Sequence, residues 1–91
     1  MSVRAYKIEI PAQLKDTPSF NLWRDEDIFN FIDRHDDTNT RLEDGAGSIE
    51  TSVKAIKDLL KAVKMPKEYR DGFKDDIKGL RDDDAVGYEC F

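Results

Sequence analysis

The one histidine of the chain, His35, is the residue best suited to acid–base or metal chemistry. Asp33, Asp36 and Asp37 stand close to it, and carboxylates of this kind complete metal sites and acid–base pairs. Neighbouring residues of a helix point in different directions, however, so groups this close in sequence rarely converge on one ion. The pattern therefore favours a histidine near a helix C-terminus, where it interacts with the helix dipole.

An acidic stretch, residues 33–44, has the length of an EF-hand calcium loop. Such a loop needs an acid or amide at its third position, glycine at its sixth and glutamate at its twelfth. His35, Thr38 and Asp44 stand at those positions instead. We therefore predict a solvated acidic loop, and an irregular cation site in this loop or at residues 82–84 is the alternative.

Nucleophilic chemistry has one candidate thiol, Cys90, and four serines. A lone cysteine excludes an internal disulfide framework, and the neighbouring Glu89 opposes formation of a thiolate, so we expect a small buried side chain. None of the serines lies in a nucleophile elbow, and residues 44–47 lack the lysine and Ser/Thr of a phosphate-binding loop. The sequence therefore predicts no catalytic residue, no metal site and no cofactor.

Charge is divided unevenly along the chain, whose net charge is −5. Residues 24–50 hold nine acids and three arginines, a net of −6, and residues 51–64 hold four lysines and one aspartate, a net of +3. The lysines recur at helical spacing and are called the lysine stripe: Lys54, Lys57, Lys61 and Lys64. Such a division can steer a charged partner, be neutralised by the acidic segment within the chain or between subunits, or simply be a solvated helix face.

Length and composition describe a single small domain, residues 1–91. A chain this short buries only about 60–65% of the surface that its unfolded form exposes, so its core is thin. Charged residues make up 38% of the chain, but its nine aromatic residues are more than disordered segments usually carry. No apolar run approaches the roughly 20 residues needed to cross a bilayer, and no signal segment is visible. We expect a cytoplasmic protein without membrane contact.

Two apolar stripes at helical spacing are the strongest structural signal in the sequence. The first consists of Ile49, Val53, Ile56, Leu60 and Val63, and the second of Tyr69, Phe73, Ile77 and Leu80. Pro66 lies between them and is tolerated only in the first turn of a helix, so we predict helices over residues 52–64 and 66–80. A third helix is predicted over residues 24–35, with Asp25 as its N-cap and acids in its first turn.

Alternating apolar residues predict strands at both ends of the chain, residues 3–10 and 85–91. Their apolar sides are formed by Tyr6, Ile8 and Ile10 in the first strand and by Val86, Tyr88 and Cys90 in the second. Residues 48–51 fit either a third strand or the start of a helix, and we favour the strand, with Ser52 as the following N-cap. Residues 36–47 are predicted as loop. The result is an α+β two-layer domain with two to three antiparallel strands packed against about three helices.

Large apolar residues also cluster just before the first predicted helix, at Phe20 and Trp23. Such a cluster usually buries against the core, and surplus aromatic residues are also common anchors of protein interfaces. Together with the acidic segment, they indicate a small acidic non-catalytic module that binds another protein; phages and mobile elements offer the analogy, since some of their small acidic proteins imitate nucleic acid. The candidate interaction surface comprises Phe20, Trp23, Asp25, Glu26, Asp27, Asp36, Asp37, Lys54, Lys57, Lys61 and Lys64.

Three other functions compete with this prediction. A nucleic-acid-binding accessory factor would use the lysine stripe, although the acidic net charge argues against a nucleic-acid partner. A structural homodimer would continue its sheet across two chains through an edge strand. An enzyme ranks below both, because no nucleophile, base and orienting group are recognisable together, although carboxylate chemistry leaves no pattern in a sequence with twenty acids.

Overall fold

Six strands and three helices are formed by residues 3–9 and 13–91, the parts of the chain that the computed structural model describes. In chain order they are β1 (Arg4–Glu9), β2 (Gln13–Leu14), β3 (Phe20–Asn21), α1 (Glu26–Arg34), β4 (Asn39–Glu43), β5 (Ala46–Ser52), α2 (Val53–Ala62), α3 (Lys67–Asp76) and β6 (Ala85–Cys90). Every strand pair is antiparallel, in the order β2-β1-β6-β5-β4, with β3 beside the other half of β1.

The predicted fold class is confirmed, but the predicted number of strands is wrong, because β2, β3 and β4 were not expected. The first two are only two residues long, and such short strands show no alternation of apolar and polar residues. The third lies in the predicted loop 36–47. Its sequence Asn-Thr-Arg-Leu-Glu carries a single large apolar residue, Leu42, so the period of a strand is not visible.

The turn between β4 and β5 explains why this polar segment forms a strand. Asp44 and Gly45 both have positive φ, 54° and 78°, and Glu43 pairs with Ala46 on either side of them. This is the two-residue turn whose twist matches that of a hairpin, and Asp-Gly is among its preferred sequences. A tight turn fixes the register of the two strands, so β4 does not need an apolar pattern of its own to pair with β5.

The two predicted terminal strands pair side by side, β1 with β6, and β6 also pairs with β5. The strand reading of residues 48–51 is confirmed, since β5 runs from Ala46 to Ser52. Ser52 is the N-cap of α2 as predicted, and its Oγ accepts a hydrogen bond from the Ala55 N–H at 3.0 Å. Ile10, at the end of the first predicted strand, lies outside the described residues.

The three predicted helices are present, and each is shorter than predicted. Pro66 is the N-cap of α3 and therefore separates α2 from α3, as expected from its missing N–H. The last predicted turn of α3 is replaced by a turn around Gly79, whose φ is 78°. Leu80, assigned from the sequence to the apolar stripe, consequently lies beyond the helix and is exposed. Within the described residues no helix has the length and apolar character needed to cross a membrane.

All three helices pack on one face of the sheet, and the core lies between the two layers. Strand residues of this face include Ala5, Ile49, Thr51, Val86, Tyr88 and Cys90. Helix residues that meet them include Ile28, Ile32, Val53, Ile56, Leu59 and Phe73. The opposite face of the sheet, called the open face below, has no helix packed against it among the described residues.

The predicted apolar side of β1 is wrong. Ala5, not Tyr6 or Ile8, lies on the core face, because it pairs with the buried Cys90 and successive strand residues point to opposite faces. Ala5 also pairs with Phe20 of β3, and its small side chain leaves room on that face for the Phe20 ring. Tyr6 and Ile8 therefore lie on the open face.

Candidate functional site

The two aromatic residues before α1 have different environments. Phe20 is 3% exposed and packs against Phe73 and Tyr88, with ring centroids 5.9 Å and 5.5 Å apart. Trp23, three residues later, is 57% exposed. Phe20 is therefore part of the core, and Trp23 is the member of the pair that a partner could contact.

The acidic residues around α1 also differ in how accessible their carboxylates are. Asp25 is the N-cap position as predicted, but its carboxylate accepts the N–H of Asn21, at 2.9 Å, rather than an N–H of the helix. Glu26 and Asp27 are exposed in the first turn, where the helix dipole favours negative charge. Asp36 is exposed after the end of the helix. These three carboxylates are accessible, and Asp25 is held in the fold.

The lysine stripe is exposed along α2, but it faces a different acidic segment from the one expected. Lys57 forms an ion pair with Asp82, in the loop between α3 and β6, and not with the acidic residues 24–50. The hydrogen bond and charge of Lys57 lower the pKa of Asp82, and Lys54 and Lys61 add to this effect. Lys57 is therefore neutralised within the chain, but by the loop 82–84 and not by the acidic segment that the sequence suggested.

His35 follows α1 at its C-cap and has both ring nitrogens engaged. Its Nε2 lies 3.1 Å from a carboxylate oxygen of Asp58 in α2, and its Nδ1 accepts the N–H of Asp37 at 3.2 Å. Asp37 also accepts the hydroxyl hydrogen of Ser52, at 2.6 Å, so Asp37 links the end of α1 to the N-cap of α2. The neutral tautomer with its proton on Nε2 satisfies both contacts of His35. These bonds join two helices, which is a structural role.

A shallow groove of about 680 Å³ lies between α1 and the end of α2. Two predicted surface residues line it, Asp27 and Lys64, together with Phe31, Arg34 and Val63. Charges of both signs surround the two partly buried apolar side chains. Along residues 3–9 and 13–91, the groove included, no three His, Cys, Asp or Glu side chains come together as a metal site would require.

A buried polar cluster around Asp76 was not expected from the sequence. Asp76 is 6% exposed and accepts three hydrogen bonds, from Lys15 Nζ at 3.0 Å, Ser19 Oγ at 2.9 Å and Tyr88 Oη at 3.1 Å. The cluster joins the irregular segment after β2 to α3 and β6. Burial, and then the charge of Asp76, hold the pKa of Tyr88 well above its usual range. All three donors converge on one carboxylate, so the arrangement stabilises the fold and leaves no free nucleophile.

Cys90 is buried on the core face of β6, as expected. Burial, with a smaller effect of the charge on Glu89, raises the pKa of its thiol to about 11. A thiol is nucleophilic as its thiolate, so at neutral pH this side chain acts as a small apolar residue.

The open face carries an apolar patch that the sequence did not single out. The Tyr6 and Phe91 rings stack with centroids 5.1 Å apart and an interplanar angle of 14°. Ile8 follows Tyr6 on this face of β1, and Leu14 pairs with Ile8 from β2. These four residues are called the open-face patch: Tyr6, Ile8, Leu14 and Phe91. Phe91 is 59% exposed and Leu14 is 40% exposed.

The signal for this patch was present in the sequence as the alternation of Tyr6 and Ile8. This alternation predicts that Tyr6 and Ile8 face the core, because the apolar side of a strand is usually the buried one. Gly87 of β6 provides space beside it, since a Cβ at that position would meet the Ile8 side chain at 3.3 Å. The patch therefore extends across neighbouring strands and is supported by the backbone of a third.

Comparison of the chain with models of protein families, with curated proteins and with solved structures finds no match.

Proposed function

We propose that this chain is a small non-catalytic interaction module that binds another protein through the open-face patch. The observation that carries the proposal is the stacking of the exposed Phe91 ring on the half-buried Tyr6 ring, on a face of the sheet against which no described helix packs. Contiguous exposed apolar groups on small proteins commonly mark sites of protein contact.

The geometry of the patch suits binding. Aromatic residues dominate the residues whose loss weakens protein interfaces most. Tyr6 lies within a paired strand, and its ring is already stacked on that of Phe91, so both side chains lose less conformational freedom on binding than isolated exposed rings. The underlying sheet is held by the pairing of β1 with β6, and it presents the patch on a rigid surface.

Charges beside the patch indicate the chemistry of the partner. Glu89 pairs with Tyr6 in the sheet register, and Glu50 pairs with Gly87, so both carboxylates lie on the open face. Arg4, which pairs with Phe91 through two backbone hydrogen bonds, is a basic residue on the same face. The chain as a whole also has a net charge of −5. A complementary partner therefore presents apolar side chains flanked by lysine or arginine.

The state of the reactive side chains supports a role without catalysis. His35 has both ring nitrogens engaged, Ser19 donates to Asp76, and Cys90 is buried with a thiol pKa of about 11. Each of these groups stabilises packing between elements, and the proposal needs none of them for chemistry.

Nucleic-acid binding through the lysine stripe is the second candidate, and the exposure of all four lysines favours it. The ion pair of Lys57 with Asp82 reduces the positive charge that the stripe offers to a phosphate backbone. A gel-shift assay at low salt distinguishes the two functions. We expect no shift; a shift that weakens steeply with salt and is lost in Lys54→Glu/Lys61→Glu would favour the stripe.

Affinity capture with matched variants tests the proposed function. The test variant is Tyr6→Thr/Phe91→Thr, which removes both rings and keeps a β-branched residue suited to a strand. The control is Trp23→Ala, which removes the most exposed aromatic residue elsewhere. We expect the wild-type protein and the control to capture the same proteins and the test variant to lose at least one of them.

Two results would contradict the proposal. One is a set of captured proteins that is identical for all three forms. The other is loss of capture only in Trp23→Ala, which would move the contact to the segment before α1. Circular dichroism and a thermal melt of each form show that the substitutions leave the fold intact.

A further inference from the structure

Strand β4 leaves one side of its backbone without a partner. It lies at the end of the strand order and pairs only with β5 in the part of the chain that the structure describes. At the opposite end of the sheet, the outer side of β1 is covered by two short strands, β2 and β3. A strand with one open side presents a row of N–H and C=O groups that can pair with another chain.

The hairpin register determines which of these groups point outward. Glu43 and Ala46 flank the two-residue turn and form its closing pair, and opposed residues then alternate between hydrogen-bonded and non-bonded pairs along the ladder. By this alternation Thr40 and Leu42 direct their N–H and C=O groups away from β5. Neither residue has another backbone hydrogen bond outside the ladder. Two outward positions are therefore available for pairing.

The side chains of β4 select the strand that fits. Asn39, Arg41 and Glu43 alternate with Thr40 and Leu42 and lie on the open face, where all three are exposed. The charges along this side are neutral, positive and negative in turn. When two such strands meet antiparallel with Leu42 opposite Leu42, each Arg41 lies opposite a Glu43 of the other chain. The neighbouring register places Arg41 opposite Arg41, and like charges directly opposed are destabilising.

We propose that two copies of this chain pair through β4, antiparallel, with Leu42 opposite Leu42 of the second copy. The outward groups of Leu42 then exchange two hydrogen bonds across the two-fold axis, and the two sheets become one continuous sheet.

This pairing is independent of the proposed function. It uses the edge of the sheet, whereas the partner protein contacts the open-face patch at the β1–β6 side. The two surfaces are separated by β5, so one chain can use both at once.

Sedimentation equilibrium over a range of protein concentrations tests the pairing. We expect the wild-type protein to move from 10.5 kDa toward twice that mass as its concentration rises. Arg41→Glu and Glu43→Arg should each weaken dimerisation about tenfold, because each turns two attractive cross-strand pairs into repulsive ones. The double variant Arg41→Glu/Glu43→Arg exchanges the two charges and should restore the dimer.

Leu42→Pro removes an outward N–H and leaves the ladder with β5 intact, so we expect a folded monomer. A wild-type protein that stays monomeric at all concentrations would overturn the proposal. So would a double variant that dimerises no better than the single variants. A dimer that survives Leu42→Pro but is lost in Tyr6→Thr/Phe91→Thr would place self-association at the open-face patch instead.

Discussion

Asp76 connects three parts of the fold through one carboxylate. Lys15, Ser19 and Tyr88 donate to it from the segment after β2 and from β6, and the carboxylate itself is almost fully buried. A buried charge is tolerated only when it is paired and hydrogen-bonded, and here both conditions are met. Removal of the carboxylate would leave a half-buried ammonium group, a buried hydroxyl and a buried phenol without an acceptor.

Asp76→Ala is therefore expected to lower the free energy of unfolding by about 2–5 kcal/mol, because the buried hydroxyl groups of Ser19 and Tyr88 each lose an acceptor at about 1–3 kcal/mol. Urea denaturation measures the change. Asp75→Ala is the matched control, since Asp75 is an exposed neighbour on the same helix, and it should change stability by less than about 0.5 kcal/mol. Equal effects of the two substitutions would show that the cluster does not stabilise the fold.

The thiol of Cys90 makes the stability of the domain sensitive to alkaline pH. Its pKa rises from 9.0 in the unfolded chain to about 11 in the fold, mainly through burial. The folded state therefore keeps the proton more tightly. The corresponding stability is present in full below pH 9.0 and is lost as the pH rises to about 11.

Cys90→Ala removes this titration. Between pH 8 and pH 11, the wild-type protein should lose roughly 2–3 kcal/mol more of its unfolding free energy than the variant does, since each unit of pKa shift corresponds to about 1.4 kcal/mol. Urea denaturation at the two pH values measures this difference. Equal losses in the two proteins would mean that the thiol is not buried in the fold.

The importance of Asp76 could have been read from the sequence in part. It stands three residues after Phe73, and therefore on the apolar face of the second stripe, where an acid is unusual. Its donors could not have been identified, because Lys15 and Ser19 lie in a segment without any recognisable period. The sequence shows that Asp76 is an unusual residue, but only the folded structure shows which residues donate hydrogen bonds to it.

At the scale of elements, the β4–β5 hairpin depends on Gly47. Its φ is 146°, a value that side chains rarely allow, and a Cβ there would collide with the carbonyl oxygen of Arg41. Gly72, within α3, is the opposite case, because a Cβ at that position has no atom within 4 Å. The two glycines give a matched pair for the same substitution.

Gly47→Ala should destabilise the domain by about 2 kcal/mol or more, because alanine is strained at this φ and its Cβ would force the Arg41 backbone to move. Gly72→Ala should stabilise it by about 0.5–1 kcal/mol, since alanine favours a helix interior and the site has room. Thermal and urea denaturation of both variants measure the effects. A neutral Gly47→Ala would contradict the register of the hairpin.

Elements with a clear period were predictable, and the others were not. The helices α2 and α3 and the strands β5 and β6 were recognised because their apolar residues recur at helical or strand spacing. Strand β4 was missed because its pairing comes from the Asp44-Gly45 turn and from β5 rather than from its own residues. The Asp44-Gly45 turn signal is present in the sequence, but the polar residues around it favour a loop over residues 36–47.

At the scale of the whole molecule, helices cover one face of the sheet and leave the other open. The two-layer architecture followed from the strands at the chain ends and the helical stripes between them. The sequence pattern did not predict which side of β1 faces the core, because Ala5 gives no apolar signal as strong as that of Tyr6 and Ile8. This inversion is what places aromatic residues on the surface, and the functional proposal rests on it.

The candidate interaction surface in the structure differs from the one selected from the sequence. Of the residues selected from the sequence, Phe20 is buried, Asp25 and Asp37 are bonded within the fold, and Lys57 is paired with Asp82. The others remain exposed and are Trp23, Glu26, Asp27, Asp36, Lys54, Lys61 and Lys64. Composition can indicate that a chain has surplus aromatic residues, but only the sheet register shows which of them reach the surface together.

The affinity of a captured partner for three forms of the protein tests the central claim most directly. Isothermal titration should give an affinity at least about thirtyfold weaker for Tyr6→Thr/Phe91→Thr than for the wild-type protein, because the loss of even one dominant interface aromatic residue costs about 2 kcal/mol. Trp23→Ala should bind like the wild-type protein. An unchanged affinity in the folded double variant would contradict binding through the open-face patch.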